Sequence, residues 1–173
     1  REGWMAEPNR DSVIGFMAGG DAALIRSLEG FEDRPDYGRR QLEELGFAEN
    51  DLMVGITEGG ETPFVIAATE HAAALSRRRP WFCYCNPDGI LTRVAARSAR
   101  ILASPDIERL PLLTGPMALS GSTRMQATTV QLTALGLALR YQDNSHALAA
   151  AAEELVSFLG ALDYTLMEPF IRA

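Results

Sequence analysis

Asp51-Leu52-Met53-Val54-Gly55-Ile56-Thr57, followed by Glu58-Gly59-Gly60-Glu61-Thr62-Pro63, is the stretch that decides the fold. An apolar run of strand length meets a glycine-rich turn, and Pro63 then opens a helical stretch to about Ser76. Pro is favoured there because its missing N–H has no intrahelical partner in the first turn. The same sequence of events recurs along the chain. Ser12 to Met17 reads as a strand, stopped by Ala18-Gly19-Gly20 and followed by a helix from Asp21 to Glu29. Tyr37 to Leu45 reads as a second helix through Leu42 and Leu45. Trp81 to Cys85 reads as a strand ending in Asn86-Pro87-Asp88-Gly89, with a helix over 91–99 and a strand over 99–103. A helix from about Thr123 to Tyr141 and a last one from about Ala147 to Phe170 complete the chain, with Asn144-Ser145 breaking them apart. Residues 1–10 show no periodicity. Strand, glycine turn and helix in repetition predict an α/β fold, a three-layer αβα sandwich on a parallel sheet that ends in long helices.

Ligands of such sheets sit beyond the carboxyl ends of the strands. That directs attention to the loops Ala18–Gly20, Thr57–Thr62, Cys85–Pro87 and Ser120–Arg124. None has a dinucleotide G-x-G-x-x-G or a G-x-x-x-x-G-K-[ST] pattern. Leu119-Ser120-Gly121-Ser122-Thr123-Arg124-Met125-Gln126 puts small hydroxyl residues and a fixed cation where a loop becomes a helix. Unpaired N–H groups and the helix dipole make that junction a phosphate-sized anion site, with Ser120, Ser122, Thr123 and Arg124 as donors and no metal required. The same residues also suit an ordinary Ser/Thr N-cap.

Composition narrows the function. The 173 residues suffice for one full-sized domain with a core. A net charge of −7 argues against nucleic-acid binding, which needs clustered positive charge. All 16 basic residues are arginine, so lysine Schiff-base and lysine general-base chemistry are excluded. Arg77-Arg78-Arg79 reads as a solvated helix end. Cys83 and Cys85, with only His71 and His146 besides, make no complete metal set and read as buried reduced thiols of a cytoplasmic protein. No apolar run reaches membrane-spanning length. No cofactor is expected.

Three loops together resemble the sugar isomerase (SIS) domain of the N-acetylmuramic acid 6-phosphate etherase and glucokinase regulatory protein family. They are Met17-Ala18-Gly19-Gly20-Asp21 with Glu29-Gly30-Phe31-Glu32-Asp33, then Gly55-Ile56-Thr57 through Thr62-Pro63-Phe64-Val65, then Gly121-Ser122-Thr123-Arg124-Met125. Cys85-Asn86-Pro87 fits as well, and the resemblance runs in order from about residue 12 to residue 139. It implies a SIS fold whose first strand and glycine–serine loop precede Arg1. It also implies a sugar-phosphate site. Ser122 and Thr123 would hold the phosphate, and Thr57, Gly59 and Gly60 would bind the phosphosugar. Glu61 falls where a relative uses serine. Glu32 matches an acidic residue that contacts the sugar in the regulatory protein and transfers a proton in the etherase. The etherase's second glutamate, in Ser-Glu-Cys-Pro-Pro, has no match near Glu2 or Glu7, and Gln126 replaces the usual lysine.

The expected function is therefore binding of a phosphorylated sugar in a regulatory or sensing role. An etherase-type lyase releasing D-lactate is the alternative, and an aldose–ketose isomerase the third reading. Residues 1–143 would form the SIS domain, and 144–173 a helix leading to a second one. The wide apolar face over Val130–Leu139 suggests a homodimer or a tandem pseudo-dimer.

Overall fold

The computed structural model describes residues 12–117, 119, 122, 125–141 and 144–167. They fall into two compact units, Ile14–Leu132 and a second formed by the chain up to Val13 with Thr133–Ala173.

The first unit is α/β. Its sheet has three parallel strands in the order β1 (Val54–Ile56), β2 (Trp81–Tyr84) and β3 (Glu108–Pro111). Helix α1 (Pro35–Glu44) precedes β1, and α2 (Pro63–Leu75) connects β1 to β2. Two short helices, α3 (Asp88–Val94) and α4 (Ala96–Leu102), connect β2 to β3, broken at Ala95 where the backbone turns extended. Each crossover carries helix between parallel strands, as parallel pairing requires.

Helix α2 is the centre of the packing. Phe64, Ile66, Ala67, Ala68, Thr69 and Ala72 are all buried, so it is enclosed on most sides. Its small residues admit close neighbours. A methyl on Gly55 of β1 would stand 2.1 Å from Thr69 Oγ1, which itself donates to the Val65 carbonyl at 2.8 Å. On one side of α2 lies a core of Ile66, Phe82, Tyr84, Leu91, Ile101, Leu102 and Ile107. On the other, Leu42 of α1 and Met53 pack on Ala68 and Ala72, with Phe16 and Phe47 at the edge. Tyr84 is fully buried and satisfied: its hydroxyl donates to Asp88 at 2.6 Å, and Arg109 holds the other carboxylate oxygen at 2.8 Å.

Three expectations about this unit need correction. Ser12–Met17 forms no strand: β1 pairs only with β2 among the described residues, so this run has no ladder, and Ile14 is 57% exposed. The Asp21–Glu29 helix is only a 3₁₀ turn, Gly20–Leu24. Leu24 and Ile25 find no core, and a short helix without tertiary packing does not hold. Residues 99–103 belong to α4, not to a strand, since Ile101 and Leu102 both bury into the helix side of the core. The third strand lies instead at Glu108–Pro111, where an edge position tolerates two charges and a proline.

Helix α5 (Gln126–Arg140) begins in the first unit, burying Ala127 and Gln131. In the second unit α6 spans Ser145–Ala161, capped by Asn144, whose side chain accepts from the Ala147 N–H at 2.9 Å. It ends at Ala161 rather than near Phe170, and a 3₁₀ turn follows at Tyr164–Met167. Among the described residues, no helix is long and apolar enough to cross a membrane.

Candidate functional site

The loop from Thr57 to Thr62 leaves the carboxyl end of β1 and enters the amino end of α2. Its defining feature is where its carbonyls go. The Thr57 carbonyl accepts from Gln131 Nε2 of α5 at 2.8 Å, and that of Glu58 from the Cys85 N–H at 2.9 Å. Gly59 accepts from Asn86 Nδ2 at 3.1 Å, and Gly60 from Ser98 Oγ at 2.8 Å. Glu61 accepts from Arg97 Nε, and Thr62 from the Ile66 N–H at 3.0 Å inside α2. Six consecutive carbonyls are thus tied back to the protein.

In a trans peptide the N–H of the next residue points opposite to the carbonyl. The chain has no cis bond among the described residues. Each N–H from Glu58 to Thr62 is therefore turned away from the group that holds its carbonyl. None of the five has an acceptor among the described residues, whereas the Thr57 N–H is used by the Cys83 carbonyl at 3.0 Å. Consecutive amides without an acceptor among the described residues thus lead into the positive end of a 13-residue helix, an arrangement that favours negative charge. Gly60 has φ +83°, a conformation that favours glycine, and a methyl there would also press on the Leu91 side chain at 2.6 Å.

Two threonines close the inner wall. Thr57 is buried, and its hydroxyl lies 2.8 Å from that of Thr62, either being able to donate. Glu58 faces the opposite way electrostatically: burial, and then the nearby Glu61, push its carboxyl above the usual range. Glu61 itself is exposed.

Glu32 arrives at the same place from a different segment. Its carbonyl accepts from the Phe64 N–H at 3.0 Å, which fixes its backbone at the first turn of α2. Its half-buried carboxylate has no hydrogen-bond or ion-pair partner among the described residues. Arg34, the obvious neighbour, is engaged elsewhere: it grips Asp36 through two nitrogens and lies 4.4 Å above the Tyr37 ring.

The structure thus brings together Thr57, Gly59, Gly60 and Glu61 with the backbone of Glu32. Of the second predicted loop, Ser122 is described, its N–H donating to the Leu119 carbonyl at 3.0 Å, while Ser120, Thr123 and Arg124 lie outside the described residues. Sequence reasoning missed Gln131, Arg97 and Ser98. Gln131 and Ser98 are buried polar residues in helical runs, and that interruption of an apolar face was the available signal. Cys83 and Cys85 are free and buried; burial, aided by Cys85, pushes the Cys83 thiol up to about 11. Among the described residues, no group of His, Cys, Asp and Glu could hold a metal ion.

A family model described as the glucokinase regulatory protein N-terminal SIS domain matches residues 3–73. An N-acetylmuramic acid 6-phosphate etherase of Aliivibrio fischeri (strain MJ11) is 35% identical over 129 residues, covering 75% of this chain and 39% of that protein. Etherases of Yersinia pestis (strain Pestoides F) and Bacillus licheniformis are 38% and 32% identical over 125 and 127 residues, covering 72% and 73% of this chain and 38% of each protein. Both kinds of match bear out the resemblance to the SIS domain of this family. The chain spans about 39% of the length of the curated relatives it matches.

Proposed function

We propose that this chain, similar to the SIS domain of the etherase and regulatory-protein family through about three quarters of its length, binds a phosphorylated sugar in a regulatory or sensing role. The observation that carries the reading is the 57–62 loop, whose free amides and paired threonine hydroxyls offer donors to a phosphate or to sugar hydroxyls. Ser120, Ser122, Thr123 and Arg124, which precede α5 in sequence, would supply the second set of donors. Glu32, with its unengaged carboxylate, would meet the sugar. The protein would act in the cytoplasm, without a cofactor, as a homodimer or a tandem of two such domains.

The etherase names of the relatives favour a second reading, a lyase releasing D-lactate. In that reaction a base takes the proton beside the ether carbon. The carbon–oxygen bond breaks, and an acid protonates the leaving oxygen before water adds to the double bond. Glu32 would be one of the two carboxyl groups required.

Lactate release from N-acetylmuramic acid 6-phosphate, by the intact natural protein with its upstream residues, separates the two. Turnover abolished by Glu32→Gln supports the lyase. Absence of turnover, with a thermal shift on adding a sugar phosphate, supports the binding role. Neither signal overturns both.

A further inference from the structure

We propose that Ser98 is a positioning residue of the anion loop, fixing the direction in which the Glu61 N–H points. The proposal rests on reading residues 57–62 as an anion-binding loop. Ser98 is completely buried, and its hydroxyl donates to the Gly60 carbonyl at 2.8 Å, 38 positions away in sequence. A helical hydroxyl ordinarily donates one turn back within its own helix, as Thr92 does to Asp88 at 2.9 Å and Thr69 to Val65 at 2.8 Å. Ser98, the third residue of α4, has no carbonyl of its own helix one turn behind it, and its hydroxyl is given instead to a single loop peptide.

That peptide needs an external hold. Gly60 has no side chain to limit its backbone, and at φ +83° it occupies a region from which a glycine peptide can turn over at small cost. Anchoring the Gly60 carbonyl on Ser98 sets the planar unit so that the Glu61 N–H faces away from α4. The neighbouring Arg97 treats the next peptide in the same way, holding the Glu61 carbonyl and so directing the Thr62 N–H. Two adjacent residues of α4 thereby orient two adjacent donors. Neither residue needs to touch the ligand.

The test is titration of the full chain with inorganic phosphate and with glucose 6-phosphate, by calorimetry and by following the Glu61 and Thr62 amide resonances. Ser98→Ala should weaken phosphate binding about tenfold, the scale of one misdirected hydrogen bond to a charged group, and the Glu61 amide should stop responding to phosphate. Ser98→Thr, which keeps the hydroxyl, should restore the response. Arg97→Met alters an exposed side chain, so it keeps the fold decisive if Ser98→Ala does not fold; it should weaken binding about threefold through the Thr62 amide. Arg100→Ala removes only the α4 ion pair to Glu70 and should bind as the parent does. Parent-like affinity in folded Ser98→Ala and Arg97→Met overturns the positioning role alone. Equal loss in Arg100→Ala overturns it too, because general weakening of α4 would then explain the effect. A parent chain blind to both probes overturns the anion-loop reading and this inference with it.

Discussion

A methyl group on Gly38 would stand 2.3 Å from the carbonyl oxygen of Phe64, so α1 crosses α2 at a distance only glycine permits. The obstructing atom is backbone and cannot swing aside. Phe64 also begins the turn that receives the Glu32 carbonyl, so the crossing sets the place of Glu32 beside the loop. In Gly38→Ala, alanine's better helix propensity contributes about 1 kcal/mol, but the overpacking penalty reaches about 3 kcal/mol. A net loss of about 2 kcal/mol is expected in urea denaturation. A variant as stable as the parent would show that the helices can part freely.

Gln131 is the buried side chain that holds the Thr57 carbonyl. Gln131→Leu keeps the volume and leaves that carbonyl without a donor. The expected cost is about 1–3 kcal/mol, the penalty for a buried acceptor left unpaired. Thermal melting should register it as a drop of several degrees, and an unchanged midpoint would mean that another group takes over the carbonyl.

Glu58 gives a pH prediction with a definite sign. Its carboxyl is held above the ordinary value of 4.5 in the fold, chiefly by burial and then by Glu61. The folded state therefore binds the proton more readily than the unfolded one. This stabilisation is fully present below pH 4.5 and is lost as pH rises through the raised value. Glu58→Gln, always neutral, should melt higher than the parent at pH 7. The advantage should disappear by pH 4. A constant offset across that range would place the effect in packing instead of ionisation.

Much of the first unit was legible because its signals are local. Pro63 marks the start of α2, and Trp81–Tyr84 emerges as β2 from its unbroken apolar run. Thr57, Gly59 and Gly60 lie in the loop that the strand–turn–helix pattern singles out. What stayed hidden depends on the partner, not on the residue. Ser12–Met17 has strand composition but pairs with no strand among the described residues, while Glu108–Pro111 has charges and a proline yet completes the ladder because Trp81–Tyr84 lies beside it. Ile101 and Leu102 suit strand or helix equally by composition, and only the core they enter decides. Ser98 and Gln131 show in the sequence only as polar residues within helical runs, because the hydrogen bonds that tie them to the loop span 38 and 74 positions.

The tied-back loop has a thermodynamic corollary. Its shape is held jointly by the end of β2, by α4 and by the first turns of α5, so any ligand that selects this shape stabilises all three segments reciprocally. Occupancy would then spread as slowed amide exchange in Cys85, Asn86, Ser98 and Gln131, none of which has to meet the ligand. Conversely, a lesion in any one of these segments reaches the loop as lost affinity. The site belongs to the whole unit more than to the six residues that form it.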